Sequence, residues 1–149
     1  MRAVLQRVTH ARVLVDGNVS GEIGPGLVVL IAVGRDDVAA TAAAMAEKIL
    51  NLRIFSDEQG KMNRSVLDTG AAILAVSQFT LYGDARGQRR PSFIQAATPE
   101  AGKALYEEFV AVLRGHSVRV ETGVFQAHMS VELTNDGPVT ILIDSDKTF

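Results

Sequence analysis

In Asn135-Asp136-Gly137-Pro138-Val139-Thr140, the Gly137-Pro138 pair lies between two strand-like runs, Met129–Leu133 and Val139–Asp144. Met129, Val131 and Leu133 alternate with polar neighbours, as do Val139, Ile141 and Ile143, so each run buries one face. Asn, Asp and Gly tolerate turn angles that other residues resist. Pro after Gly removes a donor and fixes φ, and the X-Pro bond reaches the cis form for only about 0.5–1 kcal/mol. By itself the hexapeptide reads as the turn of a hairpin.

Outward from this stretch the chain is rich in strands. Ala3–Val8 and Ala11–Val15 read as two strands, and Asp16-Gly17-Asn18 turns the chain into Val19–Ile23. Gly24-Pro25-Gly26 breaks it before Leu27–Val33, an apolar run of the kind covered on both faces. Asp36-Asp37 is placed to cap a helix running to about Leu50, with Val38, Met45 and Ile49 near helical spacing. Leu52–Phe55 reads as a strand, Ser56–Asn63 as a polar loop, and Ala71–Phe79 as a second buried strand. Tyr82–Pro91 is loop-like. Thr98-Pro99 starts a second helix, whose stripe of Leu105, Phe109, Val112 and Leu113 ends at Gly115. Val118–Glu121 precedes the two final runs. The sum is a β-rich α/β fold, one domain over residues 1–149 with two helices covering sheet.

Composition narrows the function classes. A chain of 149 residues buries a real core without staples, and with no cysteine it has no thiolate chemistry. No run approaches the roughly 18–20 apolar residues of a membrane span. The opening Met1–Arg7 is polar where a signal peptide needs an apolar block, which makes the cytoplasm the expected compartment. A net charge of −2 excludes a uniformly basic surface but not a local patch.

Catalytic motifs are mostly missing. There is no Gly-x-Ser-x-Gly elbow, P-loop or dinucleotide fingerprint. His10, His116 and His128 lack metal-ligand spacing, so neither a metal nor a cofactor is expected. An enzyme built on this chain works without a strong side-chain base. Ser77-Gln78-Phe79-Thr80-Leu81 ends a hydrophobic strand with three hydrogen-bonding side chains, either a plain strand exit or a place where backbone N–H groups and Thr80 meet a carbonyl or a water. Arg86, Arg89 and Arg90 lie within five positions, either on a solvated loop or as a phosphate contact. Arg7 shares a strand face with Ala3 and Leu5 and needs a partner.

Together, Ser77–Leu81 and Asn135–Thr140 closely resemble the paired signature of the D-aminoacyl-tRNA deacylases. The resemblance extends through Arg2–Val8, Gly24–Leu27, Asn51–Phe55, Gly60–Asn63, Arg89–Phe93 and Glu121–Phe125. Gly83, Gln126 and His128 depart from the pattern.

This resemblance implies a barrel-like sheet in β/β/α layers and hydrolysis of the ester joining a D-amino acid to the terminal adenosine of tRNA. It implies a homodimer with active sites at the subunit interface, where Gly137-Pro138, in the cis form, reaches the partner's pocket. An L side chain would clash with the Gly137-Pro138 carbonyls, so selectivity arises by exclusion, and glycine, as when mischarged on the alanine tRNA, is accepted. Arg7, Asn135 and Thr140 support that loop, while Ser77, Gln78, Phe79 and Thr80 line the ester side. Arg86, Arg89 and Arg90 contact tRNA. The 2′-hydroxyl of the RNA activates water, and Thr80 positions rather than attacks. Two readings stay open beside it: a tRNA- or protein-binding module without activity, and a different ester hydrolase on the same scaffold.

Overall fold

In the computed structural model, which describes residues 1–149, the main sheet is assembled around its first strand. That strand, β1 (Arg2–Val15), turns at Asp16-Gly17 into β2 (Asn18–Ile23), and β3 (Gly26–Ala32) follows. Helix α1 (Ala39–Asn51) leads to a small hairpin of β4 (Phe55–Ser56) and β5 (Met62–Arg64), then to one helical turn, α2 (Val66–Thr69). Strand β6 (Ala72–Ser77), a 3₁₀ turn (Phe79–Tyr82), helix α3 (Pro99–Arg114), β7 (Val120–Thr122) and β8 (Ser130–Asp144) complete the chain.

Strands run in the order β2-β1-β3-β6-β7, with β8 also on β1. Pairing is antiparallel from β1 to β2, β3 and β8, and parallel from β3 through β6 to β7. The sheet curls until β2 meets β6 and β7, a nearly closed barrel. A Cβ on Gly21 of β2 would lie 2.6 Å from the Thr122 carbonyl oxygen, so only glycine permits that approach.

Two cores lie on the two faces of this sheet. The larger packs Leu5, Leu27 and Ile73 against Ile49 of α1 and Phe109 and Leu113 of α3. The smaller holds Val8, Val13, Ile23, Val28 and Leu74 on the other face. Leu27 and Val28 therefore enter different cores, which is why β3 is apolar throughout. Each fully buried large side chain contributes about 1.5–3 kcal/mol. Helix α3 begins and ends where its sequence says. Thr98 accepts from the Ala101 N–H (3.4 Å), Pro99 is the first helical residue, and Gly115 caps the end.

Other boundaries differ from the sequence reading. Ala3–Val8 and Ala11–Val15 are one strand, with register shifts near Val8 in place of a break. Asp36-Asp37 does not cap α1, which starts after Val38. The Asp37 carboxylate instead accepts from the Gly34 N–H and the Met1 ammonium, both at 2.6 Å. Leu52–Phe55 keeps only Phe55 in a strand, and Ser56–Asn63 closes a hairpin tied by Arg53 to Asn63. Ser65, bonded reciprocally to Asp68, caps the unanticipated α2. Strand β6 stops at Ser77, and β7 spans Val120–Thr122 rather than Val118–Glu121.

The largest correction concerns Asn135–Thr140. It is not a hairpin turn, because Met129–Leu133 and Val139–Asp144 do not pair with each other. Both belong to β8 and both pair with β1. Asn135 stands opposite Val8 and Thr140 opposite Gln6, so four residues bulge out against Arg7 alone.

Candidate active site

The C-terminal end of β6 opens into a cavity of about 920 Å³. The backbone leaves the sheet at Gln78 (φ −144°, ψ 81°), whose N–H donates to the Ile31 carbonyl at 2.8 Å. The 3₁₀ turn follows at once, so Ser77, Gln78, Phe79 and Thr80 all line the cavity. Gln78 Nε2 donates to Thr80 Oγ1 at 3.0 Å, which orients the hydroxyl. The N–H groups of Phe79 and Thr80 begin the turn and have no carbonyl partner within it. Phe79, 57% exposed, meets Phe93 edge-to-face with ring centroids 5.1 Å apart.

The far wall comes from the segment after β7, including Phe125, Gln126 and His128, with Thr98 and Gly102 of α3. His128 is the one imidazole among the lining side chains. Its spacing suggested no role, yet the fold brings it to the cavity. The other two histidines serve the surface, His10 against Glu22 and His116 against Glu47, each at 2.8 Å. Tyr106 behind the cavity donates to the Ala75 carbonyl at 3.0 Å, and burial pushes its hydroxyl up to about 12, so it stays a neutral strut. Sequence reasoning also missed Phe93 and Phe125 as wall residues. Only their neighbourhood in the family-like segments pointed to them.

A second constellation surrounds the bulge of β8. Gly137 has φ +143° and the Gly137-Pro138 bond is cis. A Cβ on Gly137 would lie 2.7 Å from Val139 Cγ2 and 2.8 Å from Val139 N. Asn135 closes the base of the bulge: its Oδ1 accepts from the Val139 N–H (2.7 Å) and its Nδ2 donates to the Val139 carbonyl (3.0 Å). Thr140 Oγ1 accepts from Gln6 (3.2 Å) and Asn135 (3.4 Å). Arg7 finds its partners here. Nε donates to the Asp136 carbonyl (3.0 Å), Nη1 to the Ile54 carbonyl (2.7 Å), and the guanidinium pairs with the Asp136 carboxylate at 3.3 Å. Gly137 and Pro138 remain exposed at the tip and do not line the cavity of their own chain.

The three loop arginines are not equivalent. Asp84 takes Arg86 in a two-pronged ion pair (2.9 and 2.7 Å), which holds its carboxyl well below the usual carboxylate range. Arg89 and Arg90 are exposed, and no ion pair of the structure includes them.

Residues 4–144 match the family described as D-Tyr-tRNA(Tyr) deacylase. A D-aminoacyl-tRNA deacylase of Symbiobacterium thermophilum is 62% identical over 149 residues, covering all of this chain and 99% of the relative. One of Koribacter versatilis is also 62% identical, with both chains fully covered. Among solved structures, the c-Myc DNA Unwinding Element Binding Protein superposes with TM-score 0.91 at 41% identity, covering 97% of this chain and 98% of that one. A probable eukaryotic D-amino acid tRNA deacylase shares the fold, with TM-score 0.82 at 22% identity over 95% and 97% of the two chains.

Proposed function

The chain belongs to the D-Tyr-tRNA(Tyr) deacylase family and is a hydrolase with D-aminoacyl-tRNA deacylase activity; from that premise we propose how its two regions divide the reaction. The cavity at the end of β6 receives the esterified adenosine. The bulge at Gly137-Pro138 enters the cavity of a second subunit, so the working unit is a homodimer with active sites at the interface. There the Gly137 and Pro138 carbonyls exclude any L side chain, while a D side chain points to open space and glycine passes.

Arg7, Asn135 and Thr140 hold the tip in place. The terminal 2′-hydroxyl of the RNA assists a water in attacking the ester carbonyl carbon. The Phe79 and Thr80 amides steady the developing oxyanion, and the 3′-oxygen leaves with the proton that the water gives up. Ser77, Gln78 and Thr80 position the ester, Phe79 borders the adenosine, and Arg86, Arg89 and Arg90 meet tRNA phosphates. No helix is long and apolar enough to cross a membrane. On this reading the protein works in the cytoplasm, beside its tRNA substrate.

One observation carries this reading. The bulge is braced and exposed, yet it stands apart from the cavity that holds the strand-end motif of the same chain. A second copy supplies what one chain lacks. The test pairs deacylation of D-Tyr-tRNA, L-Tyr-tRNA and Gly-tRNA with sedimentation at the assay concentration. Hydrolysis of the first and third by a dimer is the expected outcome, and a fully active monomer would sink the cross-subunit account.

A further inference from the structure

Beside the cavity mouth the surface carries an arrangement that the ester site does not use. Ile94 is 74% exposed, the most exposed of the large apolar side chains, and it directly follows Phe93 of the cavity wall. Singly exposed apolar residues are common, but Ile94 adjoins the 37% exposed Phe93, so the two extend the cavity wall as one apolar step at its mouth. Its flanks are cationic. The Arg35 N–H donates to the Gln95 carbonyl at 3.0 Å, which ties Arg35 to the residue after Ile94. Two positions before Ile94, the Asp84–Ser92 bridge closes the loop that carries Arg89 and Arg90. Ile94 is four positions beyond Arg90, a span of at most about 14 Å. Arg35 is exposed, and it belongs to no ion pair of the structure. Asp36, also exposed, is the acidic neighbour in sequence.

An exposed aromatic ring on which a base can stack, with unpaired cations along its flanks, is the chemistry of single-stranded nucleic acid binding, and Ile94 widens the apolar platform beside Phe93. We propose that Phe93 and Ile94, flanked by Arg35 and by Arg89 and Arg90, form the track for the unpaired nucleotides that precede the esterified adenosine. The proposal rests on the cavity being the ester site, and continuity with its Phe93 wall fixes the direction of the strand. Base faces rest on Phe93 and Ile94 without sequence readout, while Arg35 meets a phosphate of the same strand. The surface adds affinity to the RNA and leaves the ester chemistry untouched.

The experiment compares 3′-O-(D-tyrosyl)adenosine with the same ester on a CCA trinucleotide, for the unmodified protein, Ile94→Ser and Arg35→Ala. Both variants should hydrolyse the adenosine ester at the unmodified rate. The gain in kcat/KM from adding two cytidines should fall about tenfold in Ile94→Ser, the effect of losing the burial of one large apolar side chain. Binding of an uncharged CCA-ended RNA hairpin, read by fluorescence anisotropy, needs no hydrolysis. Arg35→Ala should lower the slope of log affinity against log salt by about 0.7. An unchanged gain and an unchanged salt slope overturn the track even if D-aminoacyl-tRNA is hydrolysed as proposed. Conversion of Ile94→Ser to a monomer, with equal losses on both esters, overturns it too, because it assigns Ile94 to a protein interface. If neither ester is cleaved but the hairpin binds with the predicted slopes, the reaction scheme has failed and the track stands.

Discussion

The bulge of β8 and the turn after β6 are both exits from a regular strand, but they are held in opposite ways. At the bulge side chains brace the backbone: Asn135 grips both backbone groups of Val139, and Arg7 of β1 reaches the Asp136 and Ile54 carbonyls. At the turn a single side-chain bond, Gln78 to Thr80, orders the polar atoms facing the cavity, and Phe79 is largely open. The first is a fixed obstacle, the second a receptive surface. A device that excludes one enantiomer has to be rigid, because exclusion fails once the obstacle yields. A surface that follows an ester into its transition state needs fewer fixed bonds.

Gly137→Ala strikes the rigid side and should have the largest effect. The new methyl group falls inside contact distance of Val139 and meets a φ that L residues avoid. D-aminoacyl-tRNA hydrolysis or D-over-L discrimination should drop at least about a hundredfold, as misplacement by about an ångström does. The melting temperature should fall by a few degrees, at about 2–4 °C per kcal/mol for a chain of this size. A deacylation time course with matched D and L substrates, beside a melting curve, checks it. Unmodified rates with intact rejection of L substrates would leave the bulge without a role.

Thr80→Ala probes the receptive side and should be milder. Loss of one positioning hydrogen bond of about 1–1.5 kcal/mol lowers the rate about tenfold. A substrate ending in 2′-deoxyadenosine should be cleaved far more slowly than either. His128→Gln should retain most of the rate, which separates water activated by the RNA from water activated by imidazole. An acyl adduct trapped on Thr80 would reverse the assignment.

Smaller still is the effect of the loop charges. Arg89→Ala and Arg90→Ala should each reduce the salt slope of tRNA binding by about 0.7–0.9. Arg86→Ala should change it less, since Asp84 already neutralises that charge. Equal slopes for all three would remove the distinction between them.

The smallest effect belongs to Asp144, at the end of β8 away from both regions. Burial raises its pKa, but hydrogen bonds from the Thr148 hydroxyl and the Asp146 and Thr148 amides, with Arg2 nearby, bring it below the ordinary value. A carboxyl lowered in the folded state stabilises above its unfolded pKa of about 3.9, and that stability drains as pH falls below it. Melting curves between pH 6 and 3 should show Asp144→Asn losing the acid-side part of the decline, with unchanged activity at neutral pH.

The sequence made some of this legible and not the rest, for identifiable reasons. Helix α3 was readable because its signals are local: Thr98, Pro99, the apolar stripe and Gly115 act within their own turns. The doubly buried β3 was readable because period-free apolarity needs two covered faces. Asp37 misled because a capping carboxylate and one reserved for a distant ammonium look alike until Met1 is seen beside it. The hexapeptide misled more deeply. A hairpin turn and a bulge use the same residues, and what separates them is the pairing partner, here β1 more than a hundred positions away. The strand-end motif at the cavity was legible through family resemblance. The far wall, with Gln126 and His128, was assembled by tertiary packing that periodicity does not encode.

The slack in β8 has one more consequence. Gln6 and Val8 hold Thr140 and Asn135 in register, with four residues looped out between them, so the strand is anchored independently on either side. A lesion at the tip is not transmitted to Ile141 and Ile143 or to Leu133. Chains damaged there would lose only a little stability, accumulate largely as folded protein, and present as intact enzyme that has stopped discriminating. In a population of variants, such changes would stand out as a chemical phenotype, and an assay of soluble yield would pass most of them.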